Sequence, residues 1–188
     1  MLYNIPMSAG KLTATAGRQL SDRLKDQGYE LLFDHGDVAD KQTYQVGAIV
    51  SWFGEKYGAA SQLAHLDIAV IDRASGQIRA LIEIEETSAN PKTIIGDIYA
   101  TLLGDHVTFQ GQRQLNIGDF TTLIVLMRTG GENKAAQLAY LEEQARKLKE
   151  HMHTGNAAIG DLIVTGYTSQ NELMVKLNEQ LDLLLPRS

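Results

Sequence analysis

The sequence predicts a mixed α/β fold in which helices cover a central mixed β-sheet that contains a β-hairpin. Two observations support this class: apolar residues recur at helical spacing in several segments, and these segments alternate with short runs rich in Ile, Val and Leu. The predicted elements, in chain order, are a helix over 8–27, a strand over 29–33, an acidic loop over 34–40, a helix over 43–57, strands over 62–72 and 77–86, a helix over 90–104, a strand over 121–127, a helix over 132–152, a strand over 159–165 and a helix over 169–185.

The chain opens with an amphipathic helix and a short strand. Leu12, Ala16, Leu20 and Leu24 recur every four residues, and Gly28 is a typical helix terminator. The apolar run YELLF that follows predicts a strand. The next segment, DHGDVAD, lacks the alternating ligands and the closing Glu of a calcium loop, so we expect a solvated acidic loop.

The helix over 43–57 is predicted from a single apolar face. That face contains Val46, Ile49, Val50, Phe53 and Tyr57. On a helical wheel Glu55 lies about opposite these residues. We therefore expect Glu55 to face water rather than a metal ion.

Turn and cap residues define the elements that follow. The short turn RASG between two apolar strands predicts a β-hairpin. Asn90 can cap the next helix with Pro91 at its first position, and TTLIVLM is typical of a strand buried on both faces. The helix over 132–152 carries an apolar stripe that can pack in the core or against a second copy of the chain, which leaves a homodimer open.

The composition indicates a soluble globular domain and excludes several functional classes. The 188 residues are 44% hydrophobic and 21% charged and include no cysteine, which rules out disulfides, cysteine zinc sites and thiol nucleophiles. No window approaches the roughly 18 apolar residues of a membrane span, and no signal-peptide pattern is present, so we expect a cytoplasmic protein. A net charge of −6 argues against general polyanion binding, but not against a nucleic-acid enzyme with a basic cleft.

The two hairpin strands have one register that keeps their apolar residues together. One side of the ribbon then pairs Val70 with Ala80, Ile68 with Ile82 and Leu66 with Ile84. The other side pairs Ile71 with Arg79, Ala69 with Leu81, Asp67 with Glu83 and His65 with Glu85. Because opposed residues have Cβ atoms about 4.5–5.5 Å apart, the register predicts a patch of three carboxylates and one histidine.

Opposed carboxylates repel each other, and the strands that carry them are apolar enough to be buried. A bound divalent cation would remove this cost, and hard oxygen ligands favour Mg²⁺ or Mn²⁺. The alternative is that this side of the hairpin is solvated, as on the outer face of an antiparallel sheet. Ala69, Ile71 and Leu81 lie on the same side and make full solvation less favourable.

The order of these elements resembles the PD-(D/E)XK nuclease superfamily, which has the restriction-endonuclease-like fold. The resemblance consists of an Asp in LDIAVID, a turn, the acidic pattern LIEIEE, a helix and a further strand. The motif-bearing core covers residues 44–127 of a single domain over 1–188. Residues 1–43 add the N-terminal helix, short strand and acidic loop, and residues 128–188 add the C-terminal α/β/α elements. The resemblance implies that Asp67 is the motif Asp and Glu83 its second acid. Glu85 then occupies the usual lysine position, a Glu-x-Glu variant.

The resemblance implies a restriction- or repair-type endonuclease that hydrolyses DNA phosphodiester bonds with Mg²⁺ or Mn²⁺. Asp67, Glu83 and Glu85 would then bind the metal ion and take part in catalysis. Lys92, at the start of the following helix, is the nearest candidate for the catalytic lysine, although a solvated lysine is an equal alternative. His65 is an accessory candidate that could orient water or serve as a structural hydrogen-bonding group. Arg79 could hold a phosphate or offset the acidic patch.

Two other functional classes stay open. A PD-(D/E)XK-like protein that binds or assembles without catalysis would explain the acidic net charge and the missing motif lysine. A carboxylate–histidine metalloenzyme acting on a small molecule would use the same side chains. Metal binding measured together with DNA cleavage distinguishes the three classes.

Overall fold

A computed structural model describes residues 10–54, 61–86, 91–130, 132–152 and 159–185. The helices are α1 (Lys11–Leu24), α2 (Asp40–Thr43), α3 (Pro91–Leu102), α4 (Glu132–Met152) and α5 (Gln170–Leu184), with a 3₁₀ turn over Lys25–Gln27. The strands are β1 (Tyr29–Phe33), β2 (Gln45–Val46), β3 (Ile49–Trp52), β4 (Gln62–Leu66), β5 (Ile68–Asp72), β6 (Ile78–Glu85), β7 (His106–Phe109), β8 (Arg113–Asn116), β9 (Thr122–Arg128) and β10 (Asp161–Tyr167). None of the helices in these ranges is both long enough and apolar enough to cross a lipid bilayer.

The described strands form two sheets. The larger has six strands in the order β10-β9-β6-β5-β1-β2. In it β10, β9 and β6 are parallel, whereas β5 is antiparallel to both of its neighbours. The smaller sheet has four strands in the order β4-β3-β7-β8, and each adjacent pair is antiparallel. The predicted mixed α/β class is therefore confirmed.

Apolar side chains cover both faces of the six-stranded sheet. On one face, Leu20 of α1 and Leu177 of α5 are fully buried in one cluster. On the other face, Ile98 of α3, Leu141 of α4 and Val107 of β7 are buried in a second cluster. Because both faces are covered, β9 is apolar along almost its whole length, as its sequence predicts.

The helix predicted over 43–57 is wrong. Instead, the four-residue helix α2 ends at Thr43, and the strands β2 and β3 follow it. The apolar face of that helix included Ile49 and Val50, whose β-branched side chains favour strands. In β3 the alternate residues Ile49 and Ser51 are fully buried, and Phe53 beyond the strand is 62% exposed. The burial period is therefore that of a strand.

A second hairpin, formed by β7 and β8, was not predicted. The two strands are antiparallel and pair Phe109 with Arg113 across a turn. Every residue of β7 is buried, including His106 and Thr108. These polar residues interrupt the apolar pattern of β7, and three of the four residues of β8 (RQLN) are polar, so neither strand has a clear apolar period.

The strand predicted over 62–72 is two strands that separate at Asp67. β4 pairs with β3 in the four-stranded sheet, whereas β5 pairs with β6 and β1 in the six-stranded sheet. His65 consequently pairs with Val50, and the predicted pair of His65 with Glu85 is wrong. One continuous segment thus passes from one sheet to the other, with Asp67 at the crossing.

The predicted hairpin register is confirmed in its central part. The structure pairs Ile68 with Ile82, Ala69 with Leu81 and Val70 with Ala80. One further step in this register brings Asp67 beside Glu83. At the other end a register shift pairs Ile71 with Ile78, so the predicted pair of Ile71 with Arg79 is wrong. The predicted pair of Leu66 with Ile84 is wrong as well, because Leu66 pairs with Ile49 in the smaller sheet.

The packing of α1 on β1 depends on Gly17. A Cβ atom at Gly17 would lie 2.3 Å from the ring of Phe33, which is fully buried. We expect Gly17→Ala to lower the free energy of unfolding by about 1–3 kcal/mol, because the ring must shift within a packed core. Gly96→Ala on α3 is the matched control, since a Cβ there meets open space; alanine should raise the free energy of unfolding by about 0.5–1 kcal/mol. Urea unfolding measures both, and equal losses would contradict the packing argument.

Candidate functional site

A cleft of about 300 Å³ opens beside Asp67. Its walls come from the crossing between β4 and β5, the end of β6, the helices α1 and α3, and the loop after β1. The carboxylates that line it are those of Asp67, Glu83, Glu85, Glu86 and Asp97. Two histidines, His35 and His65, line it as well.

Asp67 is held by backbone hydrogen bonds on two sides. Its Oδ2 accepts a hydrogen bond from the Ile84 N–H at 2.7 Å. Its carbonyl oxygen accepts one from the Asp34 N–H at 2.9 Å. Burial raises the pKa of Asp67 to about 6, even though the Ile84 amide and His35 act in the opposite direction. The Asp67 carboxyl therefore holds its proton more tightly than a solvated aspartate does.

Glu83 extends from β6 into the same cleft. Its Oε1 is closed to solvent and has no hydrogen-bond partner among the described residues. Burial raises the pKa of Glu83 well above its usual range, and the negative charges of Asp67, Asp97 and Glu85 raise it further. An ionised carboxylate in this position is costly unless a proton or a cation neutralises it.

Asp97 and Glu85 add negative charge to the cleft. Burial, and then the charge of Glu85, raise the pKa of Asp97 on α3. Glu85 lies two residues after Glu83 on β6, so both side chains leave the strand on the same side. The Tyr167 hydroxyl donates a hydrogen bond to the Glu85 carbonyl at 3.0 Å, which holds the end of β6 in place.

Glu86 joins the end of β6 to the first turn of α1. Its Oε1 accepts hydrogen bonds from the Thr13 N–H at 2.9 Å and from the Thr13 hydroxyl at 3.3 Å. The residue before the helix, Gly10, provides no side-chain cap, and the first turn has no acidic residue. This distant carboxylate therefore satisfies an N–H group that has no acceptor within the helix.

The structure brings together Asp67, Glu83 and Glu85, the three acids that the sequence places on one face. His65 also lines the cleft, although it belongs to the smaller sheet. Its Nε2 lies 2.8 Å from the side-chain nitrogen of Gln62. The prediction that the hairpin gathers these acids is therefore supported by their positions, whereas their roles stay predictions.

Two other candidates lie away from the cleft. Lys92 is exposed on the first turn of α3 and does not line the cleft. Arg79 lies near Tyr29 and Asp72, at the turn end of the hairpin, and the register shift there removes its predicted pairing with Ile71. Glu55 lies outside the described residues.

Three titratable residues of the cleft were not predicted: His35, Glu86 and Asp97. A helical wheel could have found Asp97, because it shares one side of α3 with the buried residues Ile94 and Ile98. The other two had no such signal. His35 lies in an irregular loop, and Glu86 follows the last residue of β6.

No three His, Asp or Glu side chains within the described part of the chain are arranged to hold a metal ion as they stand. The donor chemistry nevertheless fits a hard divalent cation, because Glu83 Oε1 is buried without a partner in a cleft lined by further carboxylates. Binding would require these carboxylates to converge from their present positions.

No protein-family model, curated protein or solved structure matches the chain. The cleft and the motif that forms it are therefore the features that indicate a function.

Proposed function

We propose that this protein is a divalent-metal-dependent endonuclease of the PD-(D/E)XK superfamily that hydrolyses phosphodiester bonds in DNA. The observation that carries the proposal is the pair of Asp67 and Glu83 in one cleft. Both have raised pKa values, and Glu83 Oε1 has no partner among the described residues. A divalent cation would neutralise both acids at once. We assign the activity to the cytoplasm, because a chain without cysteine suits a reducing compartment.

The order of the elements supports the proposed family. Asp67 stands immediately before β5, a turn leads into β6 with Glu83 and Glu85, and α3 follows. β9 then lies parallel to β6, after the inserted hairpin of β7 and β8. Glu85 in the usual lysine position is the departure from the motif of this superfamily.

An anionic phosphodiester can enter this cleft only if the carboxylates are neutralised. No Lys or Arg is present among the described residues that line it. The bound metal ion would supply the positive charge, polarise a phosphate oxygen and lower the pKa of the attacking water. Asp67, Glu83 and the Ile84 carbonyl would hold it, and these oxygen donors fit Mg²⁺ or Mn²⁺.

The remaining cleft groups orient the reactants and exclude water. Glu85 either holds a second ion or orients the attacking water. Ile94, Ile98 and Val125 form the apolar part of the wall, which strengthens electrostatic interactions by excluding solvent. The N-terminal end of α1 borders the same cleft through Gly10 and Thr13, and the Glu86 carboxylate already occupies the Thr13 N–H there.

Nicking of supercoiled plasmid DNA tests the proposal. Purified protein should convert the plasmid to open circles with Mg²⁺ or Mn²⁺ and leave it intact with EDTA. Calorimetry in parallel should detect binding of the same ions. Metal binding without cleavage of plasmid, single-stranded DNA or RNA would contradict the nuclease proposal, and the absence of both would indicate a non-catalytic protein.

The charge of the cleft favours one second candidate, a metalloenzyme that acts on a small molecule. Five carboxylates and two histidines line a volume of about 300 Å³, with no lysine or arginine among its described residues. A small neutral or cationic substrate would meet no electrostatic barrier there. Metal binding without nuclease activity is the result that this candidate predicts.

A further inference from the structure

His35 adopts a backbone conformation that residues other than glycine rarely adopt. Its φ angle is +63°, and Gln110 is the only other non-glycine residue in the described ranges with a positive φ. Strained residues of this kind persist where the surrounding structure holds them, and they concentrate at functional sites. His35 lines the candidate cleft, whereas Gln110 does not.

Contacts on both sides hold His35 in this conformation. The Asp34 N–H donates to the carbonyl of Asp67 at 2.9 Å, and the His35 N–H donates to Asp34 Oδ1 at 2.7 Å. Behind the ring, Gly10 has a φ of +83°, and a Cβ atom there would lie 2.4 Å from His35 Cγ. The absence of a side chain at Gly10 therefore lets the imidazole occupy this position.

The imidazole lies close to Asp67 but does not bond to it directly. His35 Nε2 lies 3.9 Å from Asp67 Oδ1, and the histidine side chain is 50% exposed. This separation is too long for a hydrogen bond. One oxygen atom can, however, lie at about 2.8 Å from both atoms at once. The distance between the two atoms is therefore compatible with one water molecule that bonds to both.

We propose that His35 is a catalytic residue that, together with Asp67, holds the water molecule that attacks the phosphodiester. The inference rests on the proposed nuclease function. In the reaction the water oxygen forms a bond to phosphorus and the bond from phosphorus to the leaving oxygen breaks. One proton of the water ends on the departing alcohol. The part of His35 is to fix the position of the water through Nε2.

Replacement of His35 by Gly separates this role from a structural one. Glycine accepts a positive φ, so the melting temperature of His35→Gly should be unchanged or higher. With Mg²⁺ and plasmid DNA, kcat should fall about 100-fold while KM stays within about twofold, because only the placement of the water is lost. Added imidazole should restore cleavage by occupying the space beside Gly10, and Mg²⁺ is chosen because it prefers oxygen ligands to imidazole.

Two further variants complete the experiment. Gln110→Gly is the matched control, since it removes the same backbone strain outside the cleft; it should cleave like the wild type and show no response to imidazole. His35→Asn keeps a residue that tolerates a positive φ and should also lose kcat. An unchanged kcat in either His35 variant, a rise in KM alone, or a loss that imidazole does not restore would overturn the role of His35 while leaving the nuclease function standing. Absence of cleavage by the wild type would overturn both.

Discussion

Replacement of Asp67 by Asn, or of Glu83 by Gln, should reduce metal-dependent DNA cleavage by about 10³-fold and raise the melting temperature of the metal-free protein. Cleavage is lost because removal of a metal-binding carboxylate forfeits several kcal/mol of charge stabilisation in the transition state. Stability rises because a neutral amide no longer repels the remaining carboxylate in a desolvated cleft. Asn at position 67 also keeps an oxygen that can accept the Ile84 N–H.

Asp72→Asn is the matched control for these variants. Asp72 lies at the other end of β5, where hydrogen bonds from the Ala74 and Ser75 N–H groups hold the pKa of its carboxyl below the usual range. This variant should keep full cleavage and become slightly less stable. Plasmid nicking and thermal unfolding in EDTA measure both properties. Full activity in either cleft variant would contradict the proposed metal site.

The metal-free protein should become less stable as the pH rises from about 4 through 6. Burial raises the pKa of Asp67 from 3.8 to about 6 and raises that of Glu83 in the same direction. A carboxyl group with a higher pKa in the folded state binds its proton more tightly there. Its contribution to stability is therefore present below the unfolded pKa and is lost as the pH rises through the folded pKa. For Asp67 alone the shift corresponds to roughly 3 kcal/mol.

Urea unfolding at pH 5 and pH 7.5, with EDTA present, measures the part of this loss that falls above pH 5. Acids with lowered pKa values, such as Asp72 and Glu172, affect stability in the opposite sense but below this pH window. Asp67→Asn should reduce the decline, whereas Asp72→Asn should preserve it. Added Mg²⁺ should stabilise the protein more at pH 7.5 than at pH 5, because the ion competes with protons for the same oxygens. Equal stability of the wild type at the two pH values would count against the buried acid pair.

Elements with a clear apolar period were predictable from the sequence. The apolar residues Leu12, Ala16, Leu20 and Leu24 of α1 recur every four residues, and all are buried. Ser169 caps α5 by accepting the Glu172 N–H, as its position before an apolar helix suggests. The apolar run of β9 is buried on both faces. In each case the local apolar period identifies which side of the helix or strand is buried, independently of the element that packs against it.

Segments with two compatible periods could not be assigned from the sequence. Val46, Ile49 and Val50 fit one side of a helix, but they also fit short strands with a break at Gly47. Pairing with β4 on one side and with β7 on the other stabilises residues 49–52 as the strand β3 and not as a helix. Those partners are distant in the chain, so their hydrogen bonds leave no mark on the local pattern.

The sequence by itself determined the β-hairpin, the central part of its register and the adjacency of Asp67 and Glu83. It could do so because a slip of one residue would turn every apolar side chain of the hairpin to the wrong face. Only the tertiary structure decided which other groups share the cleft. It brought in His35 from a loop and Asp97 from a helix, and it placed Lys92 and Arg79 elsewhere. Side-chain directions in loops and at register shifts follow backbone angles that long-range packing sets, and no local period encodes them.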